Sequence, residues 1–223
     1  MLAAAIQQGI PLSRTFPAPD PGYFPEREFE TCDGPYQSSG VWTPKNSTSS
    51  SSNPNLYEGT QKSVNTFFVN LEKETGICEP WTLAKKMGIR DLTRANQTPA
   101  FTLGVTDVST LEMAEAYATF AGRGLHCDSR PVTAIEDADG NLLKEYPSKC
   151  QQVVPGSVAD AVNDVLRGVM EPGGFGQYIA PPQPSAGKTG TTQSNRAVWF
   201  VGYTPNLAAA AMIAGANQVG EPI

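Results

Sequence analysis

The sequence predicts an α/β fold of the α+β type, with helices flanking an antiparallel sheet, and three observations predict it. Four apolar runs recur at helical spacing and stop at glycine or proline-bearing junctions. Two apolar strands near the end of the chain, Trp199 to Tyr203 and Leu207 to Gly215, are joined by the turn Thr204-Pro205-Asn206. A hairpin pattern, Pro131 to Tyr146, reverses at Asp139-Gly140.

The elements follow in chain order. Residues 1–9 read as the end of a helix, with Gly9 as its C-cap and Pro11 forbidding continuation. This helix is already apolar and uncapped at residue 1, which reads as the back half of a longer one. From Pro11 to Gly59 the composition turns to Pro, Ser, Asn and Gly, and about residues 43–56 the serine-rich tract offers almost nothing to bury, so it is expected to be a mobile loop. Val64, Phe67, Phe68 and Leu71 then recur at helical spacing up to Thr75, with Gly76 as the stop, and Ser63 and Asn65 fall at the loop-to-helix junction. A helix over Pro80 to Met87 closes at Gly88. Ser109 caps another over Thr110 to Ala121, with an expected apolar stripe of Leu111, Ala114, Tyr117, Ala118 and Ala121. Ser157 caps a last helix, Val158 to Met170, and an edge strand is expected over Ala186 to Gln193.

Size and charge bound the function. At 223 residues one domain with a real core is expected over 1–223. A net charge of -6 without a Lys/Arg cluster excludes a footprint for nucleic acid or an anionic membrane. The longest apolar stretch, Leu207 to Ala216, is half what a spanning helix of about 20 residues needs, and the first residues lack the pattern of a signal peptide.

Cys32, Cys78, Cys127 and Cys150 are too widely spaced for the close pairs of zinc sites, and disulfides are expected. Three connectivities are open. A Cys127–Cys150 bridge would staple the hairpin ends, and Cys32–Cys78 would bracket the serine-rich loop. Disulfides imply an oxidising, extracytoplasmic setting, although the chain shows no export signal of its own. His126, the single histidine, is read as a surface loop residue.

Two motifs carry chemistry. Ser63-Val64-Asn65 and Lys188-Thr189-Gly190 are two of the three parts of the Ser-x-x-Lys, Ser-x-Asn, Lys-Thr-Gly set of penicillin-recognising serine enzymes. Ser185 and Lys188 form the sole Ser-x-x-Lys match, and it is a decoy. Residues three apart share a helix face but point to opposite faces of a strand, and Gly187 after Pro181, Pro182 and Pro184 argues against a helix. Taken alone, Ser63 could be a helix N-cap, Lys188 a solvated lysine, and Thr189 and Thr191 ordinary strand residues.

With Leu-Ala-Ala-Ala-Ile-Gln-Gln-Gly (2–9), Phe-Thr-Leu-Gly-Val (101–105) and Met-Ala-Glu-Ala-Tyr-Ala-Thr-Phe-Ala (113–121), these motifs resemble the transpeptidase domain of a class A, bifunctional penicillin-binding protein of actinobacterial type. The resemblance covers essentially the whole chain. It implies a penicillin-binding transpeptidase or serine β-lactamase-like fold, N-terminally truncated just after Ser-x-x-Lys, so no nucleophile is expected in the chain and the fragment is expected to be inactive alone. It implies cross-linking of peptidoglycan stem peptides ending in D-Ala-D-Ala, acylation by β-lactams, and no metal or cofactor. Ser63 would relay a proton, Asn65 hold the donor amide, and Lys188 supply positive potential. Thr189 and Thr191 would meet the substrate carboxylate, Gly190 would let substrate approach the strand edge, and the Thr191 N–H would be half of an oxyanion hole. The parent would be membrane-anchored at the cell-wall face and carry a glycosyltransferase domain. The alternatives are a non-catalytic module holding stem peptides or a partner protein, or a β-lactamase or D,D-carboxypeptidase fragment.

Overall fold

The computed structural model describes residues 1–215. Among the described residues six α-helices and eleven strands alternate irregularly: α1 (Leu2–Gln7), β1 (Phe24–Pro25), β2 (Glu30–Thr31), β3 (Gly34–Pro35), β4 (Val41–Trp42), α2 (Leu56–Gln61), α3 (Asn65–Thr75), α4 (Cys78–Lys86), α5 (Thr110–Ala121), β5 (Leu125–Cys127), β6 (Ala134–Glu136), β7 (Leu142–Glu145), β8 (Cys150–Gln152), α6 (Gly156–Met170), β9 (Ala186–Thr191), β10 (Ala197–Thr204) and β11 (Leu207–Ala214). The expected α+β architecture is present. Its main sheet is antiparallel in the order β11-β10-β9, so the motif strand β9 is an edge, as expected. The other strands form two-stranded ribbons: β1 with β4, β2 with β3, β5 with β8, and β6 with β7.

Helices cover the inner face of this sheet. α6 packs against β9, α2, α1 and α5, while α5 packs against β10 and β11. The core forms where these faces meet, from Leu2, Ala4, Leu56, Phe67, Leu71, Val162, Val165, Val169 and Tyr203 among others. α1 can lie close to α6 because its buried positions are Leu2 and three alanines, which place little bulk between the helices. Gly187 and Gly202 sit opposite each other across β9 and β10; a Cβ at Gly202 would fall 2.7 Å from the Phe200 ring, and one at Gly187 2.9 Å from the Val201 carbonyl.

Several local expectations change. α2 is a helix where the sequence suggested an approach to a helix: Asn55 caps it by accepting the Glu58 N–H at 3.0 Å. Gly59 weakens its pattern, yet a Cβ there would fall 2.4 Å from the Phe67 ring, so glycine is what lets α2 and α3 approach. α6 begins at Gly156 with Pro155 as N-cap, two residues ahead of the expected Ser157 cap. α5 does start at the Ser109 cap, through a reciprocal capping box with Glu112. Its buried residues are Glu112, Glu115, Ala116, Thr119 and Phe120, and Leu111, expected in the stripe, is 57% exposed.

Both expected disulfides are present, Cys32–Cys78 and Cys127–Cys150, the second closing β5 on β8 beneath the β6–β7 hairpin. The serine-rich tract carries no helix or strand, but it follows a hydrogen-bonded path. Thr48 donates to the Lys62 carbonyl, Ser51 donates twice to Glu58, and the Asn46 side chain is bonded to Thr66. Among the described residues no helix is long and apolar enough to cross a membrane.

Candidate active site

The two motifs meet at the edge of the sheet. Lys188 lies on β9 opposite Val201 of β10, and strand alternation puts it with Ala186 on the face turned to the helices. Across that face the chain passes from α2 to α3 through Lys62, Ser63 and Val64. Lys188 Nζ donates to Ser63 Oγ at 2.7 Å and to the Thr189 carbonyl at 2.8 Å. Residues 125 apart in sequence thus share one hydrogen bond.

Ser63 reaches this position at a conformational cost. Its φ of +55° is in the left-handed region, which a residue with a Cβ occupies at about 1–2 kcal/mol relative to the right-handed form. The turn is fixed from both sides, because the Ser63 N–H donates to the Thr60 carbonyl and the Val64 N–H to the Gly59 carbonyl. Val64, fully buried, is the N-cap of α3 and offers no side-chain cap, so Ser63 is not acting as a helix cap. Its hydroxyl is committed to the lysine instead.

Burial sets the character of Lys188. Desolvation lowers its pKa from 10.5 to about 8, so near neutral pH the ammonium is held with little solvent around it, next to a hydroxyl and a carbonyl. A hydroxyl oxygen that accepts from an ammonium must direct its own hydrogen elsewhere. The Ser63 O–H is therefore free to point into the space beside β9. A poorly solvated cation there favours any ligand carboxylate laid along the strand.

The remaining motif residues occupy the same neighbourhood with distinct surroundings. Asn65, the first residue of α3, donates its side-chain N–H to the Lys45 carbonyl at 2.8 Å, which ties the serine-rich tract to the start of the helix. Thr189 and Thr191 lie on the opposite face of β9 from Lys188, paired with Phe200 and Val198. Among the described residues neither threonine hydroxyl has a hydrogen-bond partner. Gly190 faces Trp199, and an added Cβ would make only ordinary contact at 3.4 Å. Packing within the chain does not require glycine at 190, and its bareness leaves the strand edge open. Ser185 precedes β9 and belongs to no helix, so it lacks the helical spacing to Lys188 that a nucleophile pair needs.

His126 corrects the sequence reading. It lies on β5 and is 3% exposed, not a surface residue. Its neighbours include Glu115 and Thr119 of α5, whose helical position the apolar pattern did not single out. A buried Glu and Thr four apart on one helix was the available signal.

The family model described as "Penicillin binding protein transpeptidase domain" matches residues 15–221. Penicillin-binding protein 1A of Clostridium acetobutylicum is 30% identical over 201 residues, covering 83% of this chain and 25% of that protein. Its namesake from Aquifex aeolicus is 31% identical over 167 residues, covering 74% of this chain and 23% of that protein. The chain thus spans about a quarter of the length of the curated relatives it matches. Among solved structures, penicillin-binding protein 1A from Haemophilus influenzae superposes with a TM-score of 0.81 at 22% identity, over 99% of this chain and 38% of that one. The penicillin-binding protein PonA1 from Mycobacterium tuberculosis superposes with a TM-score of 0.77 at 25% identity, over 100% of this chain and 61% of that one. PonA1 is also known in complex with penicillin V. The chain therefore belongs to the penicillin-binding protein transpeptidase family, and its likeness is to the class A members.

Proposed function

We propose that these residues form the proton-relay and carboxylate-binding side of a serine D,D-transpeptidase site, one that cross-links peptidoglycan stem peptides and is acylated by β-lactams. The observation that supports this reading most is the 2.7 Å contact between Lys188 Nζ and Ser63 Oγ, with the lysine pKa lowered to about 8. In the proposed reaction a serine hydroxyl outside these residues attacks the penultimate D-alanyl carbonyl. Its proton passes to Ser63, and the C–N bond breaks as Ser63 returns a proton to the departing D-alanine amine. An amine of a second stem peptide then attacks the acyl ester and regenerates the serine.

Within this scheme Lys188 keeps Ser63 polarised and attracts the terminal carboxylate, which Thr189 and Thr191 meet through their hydroxyls. Asn65 holds the donor amide, Gly190 leaves the edge of β9 bare, and the Thr191 N–H supports the developing oxyanion. None of these steps calls for a metal or cofactor. The 223 residues contain no helical Ser-x-x-Lys, so the nucleophile and its half of the oxyanion hole must come from another segment, and the chain alone does not turn over. Two disulfides with no free cysteine favour an extracytoplasmic setting at the wall face of a membrane-anchored parent with a glycosyltransferase domain.

Titration with a stem peptide ending in D-Ala-D-Ala, followed by backbone amide NMR, tests the recognition half of this reading. Shifts at Lys188 to Thr191 with the free carboxylate, and not with the C-terminally amidated peptide, are expected. Equal shifts with both peptides, or none on β9, would remove the carboxylate role.

A further inference from the structure

A second polar cluster lies away from the Ser63–Lys188 pair, where β5 packs on α5. Glu115 of α5 and His126 of β5 each have side chains 3% exposed, and Asp128, just past β5, is 59% exposed. Arg90 Nη2 donates to Glu115 Oε2 at 2.8 Å, whereas Glu115 Oε1 is buried with no hydrogen-bond partner. An unpartnered buried carboxylate oxygen loses its hydration without compensation.

The imidazole is oriented by Thr119. The Thr119 hydroxyl lies 3.0 Å from His126 Nδ1 and 3.3 Å from the Glu115 backbone carbonyl, so when its single hydrogen goes to the carbonyl it accepts from Nδ1–H. In that tautomer Nε2 carries a lone pair, with Glu115 Oε1 at 3.4 Å and Asp128 Oδ1 at 3.7 Å from it. Three potential ligand atoms, one from each residue, thus lie within 4.8 Å of one another.

We propose that Glu115 Oε1, His126 Nε2 and Asp128 Oδ1 form a binding site for a zinc-type divalent transition-metal ion. A tetrahedral centre with bonds of about 2.0–2.1 Å holds its ligand atoms about 3.3–3.4 Å apart. The Glu115–His126 separation already has this value, the His126–Asp128 separation is 3.7 Å, and all three ligand atoms lie within 4.8 Å of one another, so the exposed Asp128 side chain would swing toward Glu115 to complete the set. The Thr119 contact to Nδ1 is the outer hydrogen bond that fixes a ligating imidazole's tautomer. One imidazole with two carboxylates suits zinc better than magnesium or calcium, which prefer oxygen-only sites. A cavity of about 280 Å³ lined by His126, Asp128, Lys149, Cys150 and Gln151 leaves room for water in the fourth position. Two carboxylates against the nearby Arg90 leave the cluster net negative, and Lys149 lines the cavity as the opposing charge.

Glycine at 88 is part of this arrangement. Its φ is +94°, and a Cβ there would sit 2.6 Å from Glu115 Oε1 and 3.1 Å from His126 Cε1. A bound ion would clip α5 to β5 beside the Cys127–Cys150 bridge. It would have no part in acyl transfer.

The test uses the untagged, disulfide-intact chain, in which His126 is the single histidine. Equilibrium dialysis against Zn²⁺ should show one equivalent bound, Co²⁺ should give the visible absorption of a tetrahedral site, and zinc should move the one set of imidazole signals. Asp128→Asn, at an exposed position that folding does not depend on, should weaken zinc binding about tenfold or more. Failure to bind one equivalent of zinc, or unchanged affinity in Asp128→Asn, would overturn the proposal.

Discussion

The Ser63–Lys188 pair and the Glu115–His126 cluster are both polar sites drawn toward the interior, and they balance the cost of burial differently. At the first, the ammonium has two acceptors, the Ser63 hydroxyl and the Thr189 carbonyl, and the residual penalty appears as a lysine pKa lowered to about 8. At the second, a buried carboxylate oxygen with no hydrogen-bond partner lies 3.4 Å from an imidazole nitrogen. The difference separates a site complete enough to be read as a relay from one that invites an additional cation. It also follows the chain: the first joins two sequence motifs, while the second joins a helix, a strand and a glycine turn that no motif links.

Breaking the Cys127–Cys150 bridge, by Cys127→Ser with Cys150→Ser, should separate the two sites most strongly. The bridge closes a loop with a sequence separation of 23, for which chain entropy gives roughly 3 kcal/mol of stability. Urea unfolding should show that loss, and zinc uptake should fall with it. The 15N shifts of Lys188 and Ser63 should stay in place, because their contact does not pass through β5.

Replacing Lys188 with Met should act in the other direction on stability. A folded-state lysine pKa of about 8, below its reference of 10.5, means that the unfolded chain binds the extra proton, so this group's contribution to stability rises as pH climbs between those values. Lys188→Met should therefore be more stable than the parent at pH 7, and the advantage should shrink toward pH 10. An advantage constant over that range would remove the desolvated ammonium from the account.

The smallest effect is expected at Ser63, and its sign is the informative part. Ser63→Gly relieves a positive φ of 55° while removing the hydroxyl that accepts from Lys188, and should be about 1 kcal/mol more stable than Ser63→Ala. Ser63→Ala should lose the same hydroxyl without the gain. Equal melting temperatures for the two variants would mean that the backbone at 63 is not strained.

Much of the candidate site was legible because its residue types are adjacent within short motifs: Ser63 with Asn65, and Lys188 with Thr189 to Thr191. The strand expected around Lys188 is also present, with Ser185 just before it and in no helix. What the motif could not convey was the left-handed backbone at Ser63, which depends on how α2 and α3 are held at Gly59 and Phe67. In α5 the Ser109 capping box was readable locally, but the buried face was not. Apolar periodicity assigned Leu111 inward, whereas Glu112 and Glu115 are buried because the Arg90 backbone and side chain, from a segment 22 to 25 residues away, supply their hydrogen bonds. His126 was misread for the same reason: its partner Thr119 lies seven residues back on a neighbouring element, and only tertiary packing joins them.

The central claim is that Ser63 and Lys188 serve a nucleophile that these residues do not contain. Labelling with a fluorescent penicillin, followed by peptide mapping, addresses it most directly. The 223-residue chain should take no covalent label. A longer polypeptide carrying a Ser-x-x-Lys helix ahead of residue 1 should be labelled at that serine, about 10²-fold more slowly when Lys188→Ala removes the adjacent cation. Stable label mapped to Ser63 or Ser185 of the 223-residue chain would contradict the account.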